Sequence, residues 1–386
     1  MLKVGIVGAG GIASAHIEAY LEFPDAVEIV AISDLTLAKA TVKRDAHGLR
    51  NARVYDGPDA MLAGEQLDLV SIVTPPSSHA PLAIQYLRHG VNVIVEKPMA
   101  ASLEECDAML AAAAGSGKIL SVVAQNRYRD DMATLKEVLA TGLIGSISHV
   151  KVDSSWWRAQ PYYDLWWRGT WASEGGGCTL NHAIHHIDLL LWLLGRPRAV
   201  AAMMTNAQHD NAEVEDLSVA ILQYDRALAE LTSSVVHHGE EQAIVVQGAR
   251  ARISQPWRAA ASTGDENGFP VPGGDADLVA QLDALAAAHA PLGHLLHAGQ
   301  IANVLAAIRG DAALEATGAD GRTAIELVTA IYQAAIERRT VDLPLSPENP
   351  YYRSGGLESR APHFFEKTGS RREQGAIIVG ASSDAG

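Results

Sequence analysis

Two sets of side chains in this sequence have types and spacing suited to moving a proton. The first is Lys97, at the end of Val91-Asn92-Val93-Ile94-Val95-Glu96-Lys97-Pro98. The β-branched run reads as a short buried strand of a parallel sheet. Pro98 ends it and keeps Lys97 extended. Lys97 is thus expected at the carboxyl edge of a core strand, where open α/β sheets bind ligands. Partial desolvation there lowers an amine toward neutrality and makes it a usable acid or base; the plain alternative is a surface loop lysine. The second set is Asn181, His185 and Asp188, spaced four and three apart, on one face of an expected helix Asn181–Leu194. The rest of that helix is apolar, and a polar stripe on a buried helix is costly unless used or paired. His185 is the natural partner of Lys97. Asn181 could orient the lysine or a substrate, and Asp188 could orient His185 or hold the fold. His182 and His186 lie on the adjacent face. Their spacing also suits zinc, but no second ligand set stands out, so no metal is expected.

The elements that must position Lys97 begin at the N-terminus. A β-branched strand, Val4–Val7, runs into Gly8-Ala9-Gly10-Gly11-Ile12-Ala13 and then a helical pattern to about Leu21. This is G-x-G-x-x-A, a dinucleotide-binding turn when a strand precedes and a helix follows. Gly8 permits the turn, Gly10 the approach of a pyrophosphate, and Ala13 close helix–strand packing. A second strand, Glu28–Ile32, leads to Asp34, 34 − 13 = 21 residues past Ala13. An acid at that distance accepts from a ribose 2′-OH and repels a 2′-phosphate, so NAD is favoured over NADP. Capping the helix Thr36–His47 is the competing role for Asp34. Strands at Asp68–Val73, Asn92–Val95 and Ile119–Ala124 alternate with helices at Ser78–Arg88, Ser102–Ala114 and Asp131–Ala140. That alternation predicts a doubly wound parallel sheet. Thr74, Pro75 and His79 follow one strand, Glu96 and Lys97 another, Asn126 and Arg127 a third. All are expected at the same edge. The cofactor set is therefore Gly8, Gly10, Gly11, Ile12, Ala13, Asp34, Thr74, Pro75, His79, Glu96, Lys97 and Asn126.

Near residue 145 the pattern changes. Ser146–Ser155 alternates as a strand, and an aromatic-dense stretch follows. Aromatic faces and arginines line polyol sites, where C–H faces stack and hydroxyls accept charge-assisted bonds. For any single aromatic, packing is the commoner role. The expected substrate set is Lys97, Arg127, Trp156, Arg158, Tyr163, Trp167, Arg168, Asn181, His182 and His185. Residues 198–206, 217–224, 227–236 and 242–254 alternate as an antiparallel sheet. Its second face must be solvated or meet another subunit. Helices are expected at Leu278–His289, His297–Ile308 and Arg322–Arg338, with Asp342–Leu345 as a short edge segment.

Composition sets outer bounds. A chain of 386 residues exceeds one ordinary core, so two domains are expected. A formal net charge of −15 argues against nucleic acid or anionic membrane as a partner. Cys106 and Cys178 are the only cysteines and show no paired spacing, which fits a reducing cytoplasm. Met1 leads directly into the first strand, so no signal peptide is read. The apolar run Leu189–Leu194 is far short of a membrane span.

Taken in order, Gly8–Ala13, Glu96-Lys97-Pro98, and Gly175-Gly176-Gly177 leading to Asn181, His185 and Asp188 resemble the family of glucose-fructose oxidoreductase and inositol 2-dehydrogenase (Gfo/Idh/MocA). The resemblance spans roughly Lys3 to Leu345. It implies an N-terminal Rossmann domain over residues 1–125 and a C-terminal α+β domain with a large open sheet over 126–345, whose last helices can pack back on the first. Residues 346–386 are left as an arm or disordered tail. The resemblance further implies NAD-dependent oxidation of a secondary hydroxyl of a sugar, glycoside or cyclitol, with Lys97 and His185 at the reacting carbon. It also implies a homodimer or homotetramer built through the sheet. Many members carry Asp where this chain has Asn181. An amide cannot act as a base, so the burden shifts to His185 and Lys97. The alternatives are an NAD-dependent glycosidase working by oxidation and elimination, and a non-enzymatic dinucleotide sensor.

Overall fold

The structure is a computed structural model and describes residues 1–371. In chain order the first half contains β1 (Leu2–Val7), α1 (Ala13–Leu21), β2 (Val27–Ser33), α2 (Leu37–Ala46), β3 (Arg53–Tyr55), α3 (Pro58–Gly64), β4 (Leu69–Ile72), α4 (His79–Arg88), β5 (Asn92–Val95), α5 (Leu103–Ser116), β6 (Leu120–Val122) and α6 (Asp130–Ala140). Its six strands form one parallel sheet in the order β3-β2-β1-β4-β5-β6. The order reverses beside β1, and ligands of doubly wound sheets bind at the carboxyl ends next to such a reversal. Strands β4 and β5 are buried throughout, as helices on both faces demand. Each fully buried Leu, Ile or Val in them contributes about 1.5–3 kcal/mol. Helix α5 starts where Ser102 accepts the Glu105 N–H and ends at Gly117 in the left-handed region. The short β3 and α3 were not expected from the sequence.

The second half adds β7 (Ile147–Ser155), α7 (Trp171–Glu174), α8 (Cys178–Asn181), α9 (Ile184–Leu194), β8 (Ala199–Thr205), β9 (Leu217–Gln223), β10 (Leu228–Ser234), β11 (Gln242–Gly248), β12 (Arg252–Gln255), β13 (Arg258–Ala260), α10 (Ala276–Ala287), α11 (Leu296–Arg309), α12 (Gly318–Glu337) and β14 (Val341–Asp342). Eight strands form an open sheet ordered β13-β12-β11-β7-β10-β9-β8-β14, parallel only between β7 and β10. The α/β class with a second, mostly antiparallel sheet is as expected. Helices α8, α9 and α12 pack on this sheet, while α11 returns to lie on α1. The outward sheet face leaves Met203, Val219, Ile221 and Leu228 exposed.

Two expectations need correction. The helix predicted over Asn181–Leu194 is broken into α8 and α9 at His182–Ala183. Asn181 ends the first piece, with its side-chain N–H donors on the Gly176 and Gly177 carbonyls. The strand predicted over 242–254 is a hairpin, β11 and β12, that turns at Ala249-Arg250. Among the described residues, no helix is long and apolar enough to cross a membrane. Residues 346–371 form turns and extended chain; the rest of the expected arm lies outside the described residues.

Candidate active site

The carboxyl edge of the first sheet collects the groups that the sequence places there. Gly8 follows β1 with φ +104°, and a Cβ there would stand 2.7 Å from the Val73 carbonyl oxygen. Only glycine fits this turn. A Cβ on Gly10 would meet nothing within 4 Å, so the side toward a ligand is open. Gly11 and Ile12 lead into α1, whose first residue, Ala13, is buried against the sheet. Asp34 follows β2. Its carboxylate accepts the Ala9 N–H at 2.9 Å and the Thr36 N–H at 2.8 Å, so it both braces the glycine turn and caps the approach to α2. Thr74 and Pro75 follow β4 and are tied together by the Ser78 hydroxyl, at 2.6 and 2.8 Å. His79, 0% exposed, lies beneath this loop with its ring nitrogens 2.8 Å from the carbonyls of Pro98 and Thr74. Both neighbours are acceptors, and burial pushes this imidazole below its ordinary pKa. A neutral ring donates to one of them at a time. His79 therefore braces two loops from behind instead of facing a ligand.

Lys97 follows β5, half-buried, and donates from Nζ to the Asn181 carbonyl at 3.2 Å. Burial lowers its pKa, Glu96 opposes that shift, and Arg168 adds to it. Glu96 does not face the open edge. Its Oε2 accepts the Lys97 N–H at 3.1 Å, and its Oε1 lies 3.1 Å from His16 Nε2 and 3.6 Å from His297 Nε2. Burial pushes this carboxyl up, but the hydrogen bond from His16 and the His297 imidazole close by outweigh burial and hold it well below the usual carboxylate range. The chain of contacts continues from His16 Nδ1 to Ser71 Oγ at 3.1 Å and on to the Tyr20 hydroxyl at 2.8 Å. His16, Glu96 and His297 have ligand-type atoms within 4.8 Å of one another. Neither histidine stands out in the sequence as a site residue, and the pair His182 and His186, spaced to suit zinc, does not form such a group among the described residues.

His185, at the start of α9, lines one cleft with Lys97, Asn126 and Asp188, closed by Thr317 and Asp320 at the start of α12. Burial pushes the His185 imidazole well below its ordinary pKa, and Lys97 adds to the shift. Its neutral form is therefore favoured. Asp188 is bound by Arg127 through two bonds, at 2.8 and 2.6 Å, and the same guanidinium donates to the Glu315 carbonyl at 2.8 Å. Arg127 was expected at the substrate. It is 4% exposed and its donors are committed to this pair, so it holds α9 in place instead.

The aromatic stretch gathers around His182. Tyr162 O–H lies 3.2 Å from His182 Nε2, and Arg168 lies over the Tyr162 ring at 4.1 Å and the Trp167 ring at 3.9 Å. Glu174 fixes Arg168 at 2.6 Å and also accepts the Gly169 N–H at 2.7 Å. Trp156 donates to Ser154 Oγ at 3.3 Å, and Arg158 lies over its ring at 5.4 Å while pairing with Glu240 at 2.7 Å. Burial pushes His182 well below its ordinary pKa, with Arg168, Arg158 and Lys97 adding to the shift. The buried atoms His182 Nδ1 and Arg168 Nε have no hydrogen-bond partner among the described residues. Tyr163, expected at the substrate, is 1% exposed and packs edge-on against His209 in the core. Tyr162 stands on the side of His182 and was not expected. Cys106 and Cys178 are both free and buried.

Residues 2–124 match the oxidoreductase family with an NAD-binding Rossmann fold, and residues 132–254 match the GFO/IDH/MocA C-terminal domain. The chain is 28% identical over 362 residues to scyllo-inositol 2-dehydrogenase (NADP(+)) IolW of Bacillus subtilis, covering 89% of this chain and 96% of that one. It is 25% identical to inositol 2-dehydrogenase of Rhizobium meliloti, covering 89% of this chain and 99% of that one. A similar solved structure is the WlbA dehydrogenase from Bordetella pertussis in complex with NADH and UDP-GlcNAcA. It has a TM-score of 0.76 and 30% identity, over 89% of this chain and 98% of that one. With the parallel sheet, the glycine turn and the Glu96-Lys97-Pro98 edge in place, this chain belongs to the Gfo/Idh/MocA family of NAD-binding oxidoreductases.

Proposed function

We propose that this protein is an NAD-dependent dehydrogenase acting on a secondary hydroxyl of a sugar, glycoside or cyclitol. The observation that carries the reading is one cleft lined by an amine and an imidazole from different sheets' elements, Lys97 after β5 and His185 on α9. The residues fit the dinucleotide: Gly8 and Gly10 leave the α1 N-terminus open to a pyrophosphate, and Asp34 is braced to meet a ribose. When bound, that cofactor accepts or returns hydride. The chain's own residues handle the proton. The Asn181 carbonyl takes one N–H of Lys97 and fixes the amine in the cleft. Burial and Arg168 make the amine a weaker acid-holder, so it can give up its proton and serve as base. His185, already neutral, is the other acceptor. A positioned base of this kind contributes about 10²–10⁴-fold to rate.

Asp34 favours NAD, because a fixed carboxylate repels a 2′-phosphate. The Bacillus relative's name carries NADP(+), so both cofactors belong in one assay. We further propose residues 1–125 as the cofactor domain and 126–345 as the substrate and oligomerisation domain. A second copy would cover the outward sheet face at Met203, Val219, Ile221 and Leu228. The cytoplasm is the proposed location. The test is reduction of NAD and NADP across a panel of inositols, free sugars, glycosides and a nucleotide sugar acid. Accumulating NADH with at least one ring polyol is expected. Cleavage of a glycosidic bond without free NADH points to the glycosidase instead. Tight NAD binding with no turnover on any member discards the reading.

A further inference from the structure

The stretch Pro362–Arg371 forms no helix or strand of its own, yet it is bonded along its length to the back of the aromatic loop 156–171. Trp171 Nε1 donates to the Pro362 carbonyl at 2.9 Å. Lys367 Nζ donates to the carbonyls of Tyr163 and, at 3.2 Å, Leu165. Trp166 N–H donates to the Arg371 carbonyl at 3.0 Å, and Arg371 N–H returns to the Asp164 carbonyl at 2.6 Å. Asn211, buried between the two, joins them with one side chain. Its Nδ2 donates to Asp164 Oδ1 and to the Gly369 carbonyl, each at 3.0 Å. Its Oδ1 accepts the N–H groups of Thr368 at 2.8 Å and Gly369 at 3.0 Å.

The loop needs such support. Between Ser155 and Trp171 it has a single turn of 3₁₀ helix, Gln160–Tyr162, so few of its backbone groups are met by regular structure. On its inner side it carries Tyr162, against His182, and Arg168, stacked on Tyr162.

We propose that Pro362–Arg371 is a strap that belongs to the substrate site: it fixes the 156–171 loop and thereby sets Tyr162 and Arg168 against His182, with Asn211 and Lys367 as its positioning residues. This rests on the dehydrogenase reading for what the cleft binds, but not for the coupling of strap to loop. Two chains are compared, one ending at Ala361 and one at Arg371, together with Asn211→Ala and Lys367→Ala in the full chain. Amide hydrogen exchange reads the loop, and steady-state kinetics read KM for the best polyol and for NAD. Relative to the chain ending at Arg371, the chain ending at Ala361 should exchange about tenfold faster across 156–171 and show a polyol KM about tenfold higher, with the NAD KM within about twofold. The two point variants should move both readouts the same way by less, and they carry the test if the shorter chain does not fold. Unchanged exchange overturns the strap. Faster exchange with an unchanged polyol KM overturns its place in the substrate site. If the full chain oxidises no polyol, the dehydrogenase reading fails, and exchange still decides whether strap and loop are coupled.

Discussion

The end of β5 and the α8–α9 segment both carry polar residues on an apolar background, and they were equally conspicuous as patterns. They differ in how much of the pattern becomes site. At β5 a single strand end fixes everything: Glu96 turns inward to His16 and His297, and Lys97 turns outward to the Asn181 carbonyl. In α8–α9 the stripe divides into three jobs. Asn181 closes the glycine turn, His185 lines the cleft, and Asp188 is held by Arg127. Spacing tells which residues share a face. It does not tell which partner each finds, because the partners come from other elements.

The comparison breaks most visibly at Arg127. If that residue holds the fold, Arg127→Ala leaves Asp188 buried and unpaired, and should cost about 3–5 kcal/mol in urea unfolding. Unaltered stability with a raised polyol KM would return Arg127 to the substrate. A second effect comes from His186, buried beside the stripe, where burial pushes the imidazole down to about 4. Its folded pKa lies below the ordinary 6.5. Stability is therefore complete above pH 6.5 and declines as pH falls toward 4, by about 1.4 kcal/mol per unit while the unfolded chain alone is protonated. His186→Phe should flatten that slope by one proton between those limits, as read by unfolding at several pH values. An unchanged slope would show that this ring charges freely in the folded protein. The smallest effect is at the glycine turn. Asp34→Ser should raise the NADP-to-NAD preference about tenfold, or about 1.4 kcal/mol, as kcat/KM for each cofactor measures. No change would leave Asp34 as a brace alone.

Legibility follows the same division. Regular alternation exposed the first sheet, because buried parallel strands such as Asn92–Val95 cannot be disguised by polar residues. The Arg53–Tyr55 strand was missed because it is three residues long and none of them is fully buried. The break between α8 and α9 has no Gly or Pro at His182-Ala183 to announce it. Tyr162 and Tyr163 were not separable, since an irregular loop has no period to say which of two neighbours faces inward. His16 and His297 lie 297 − 16 = 281 residues apart and meet only because α11 folds back on α1.

The central claim is that Lys97 and His185 act on one hydroxyl beside a bound dinucleotide. The most direct measurement is kcat/KM for the best polyol in Lys97→Ala, with NAD affinity measured on the same sample. A fall of about 10²–10⁴-fold with NAD affinity retained is the expected result. Undiminished turnover in that variant would contradict it.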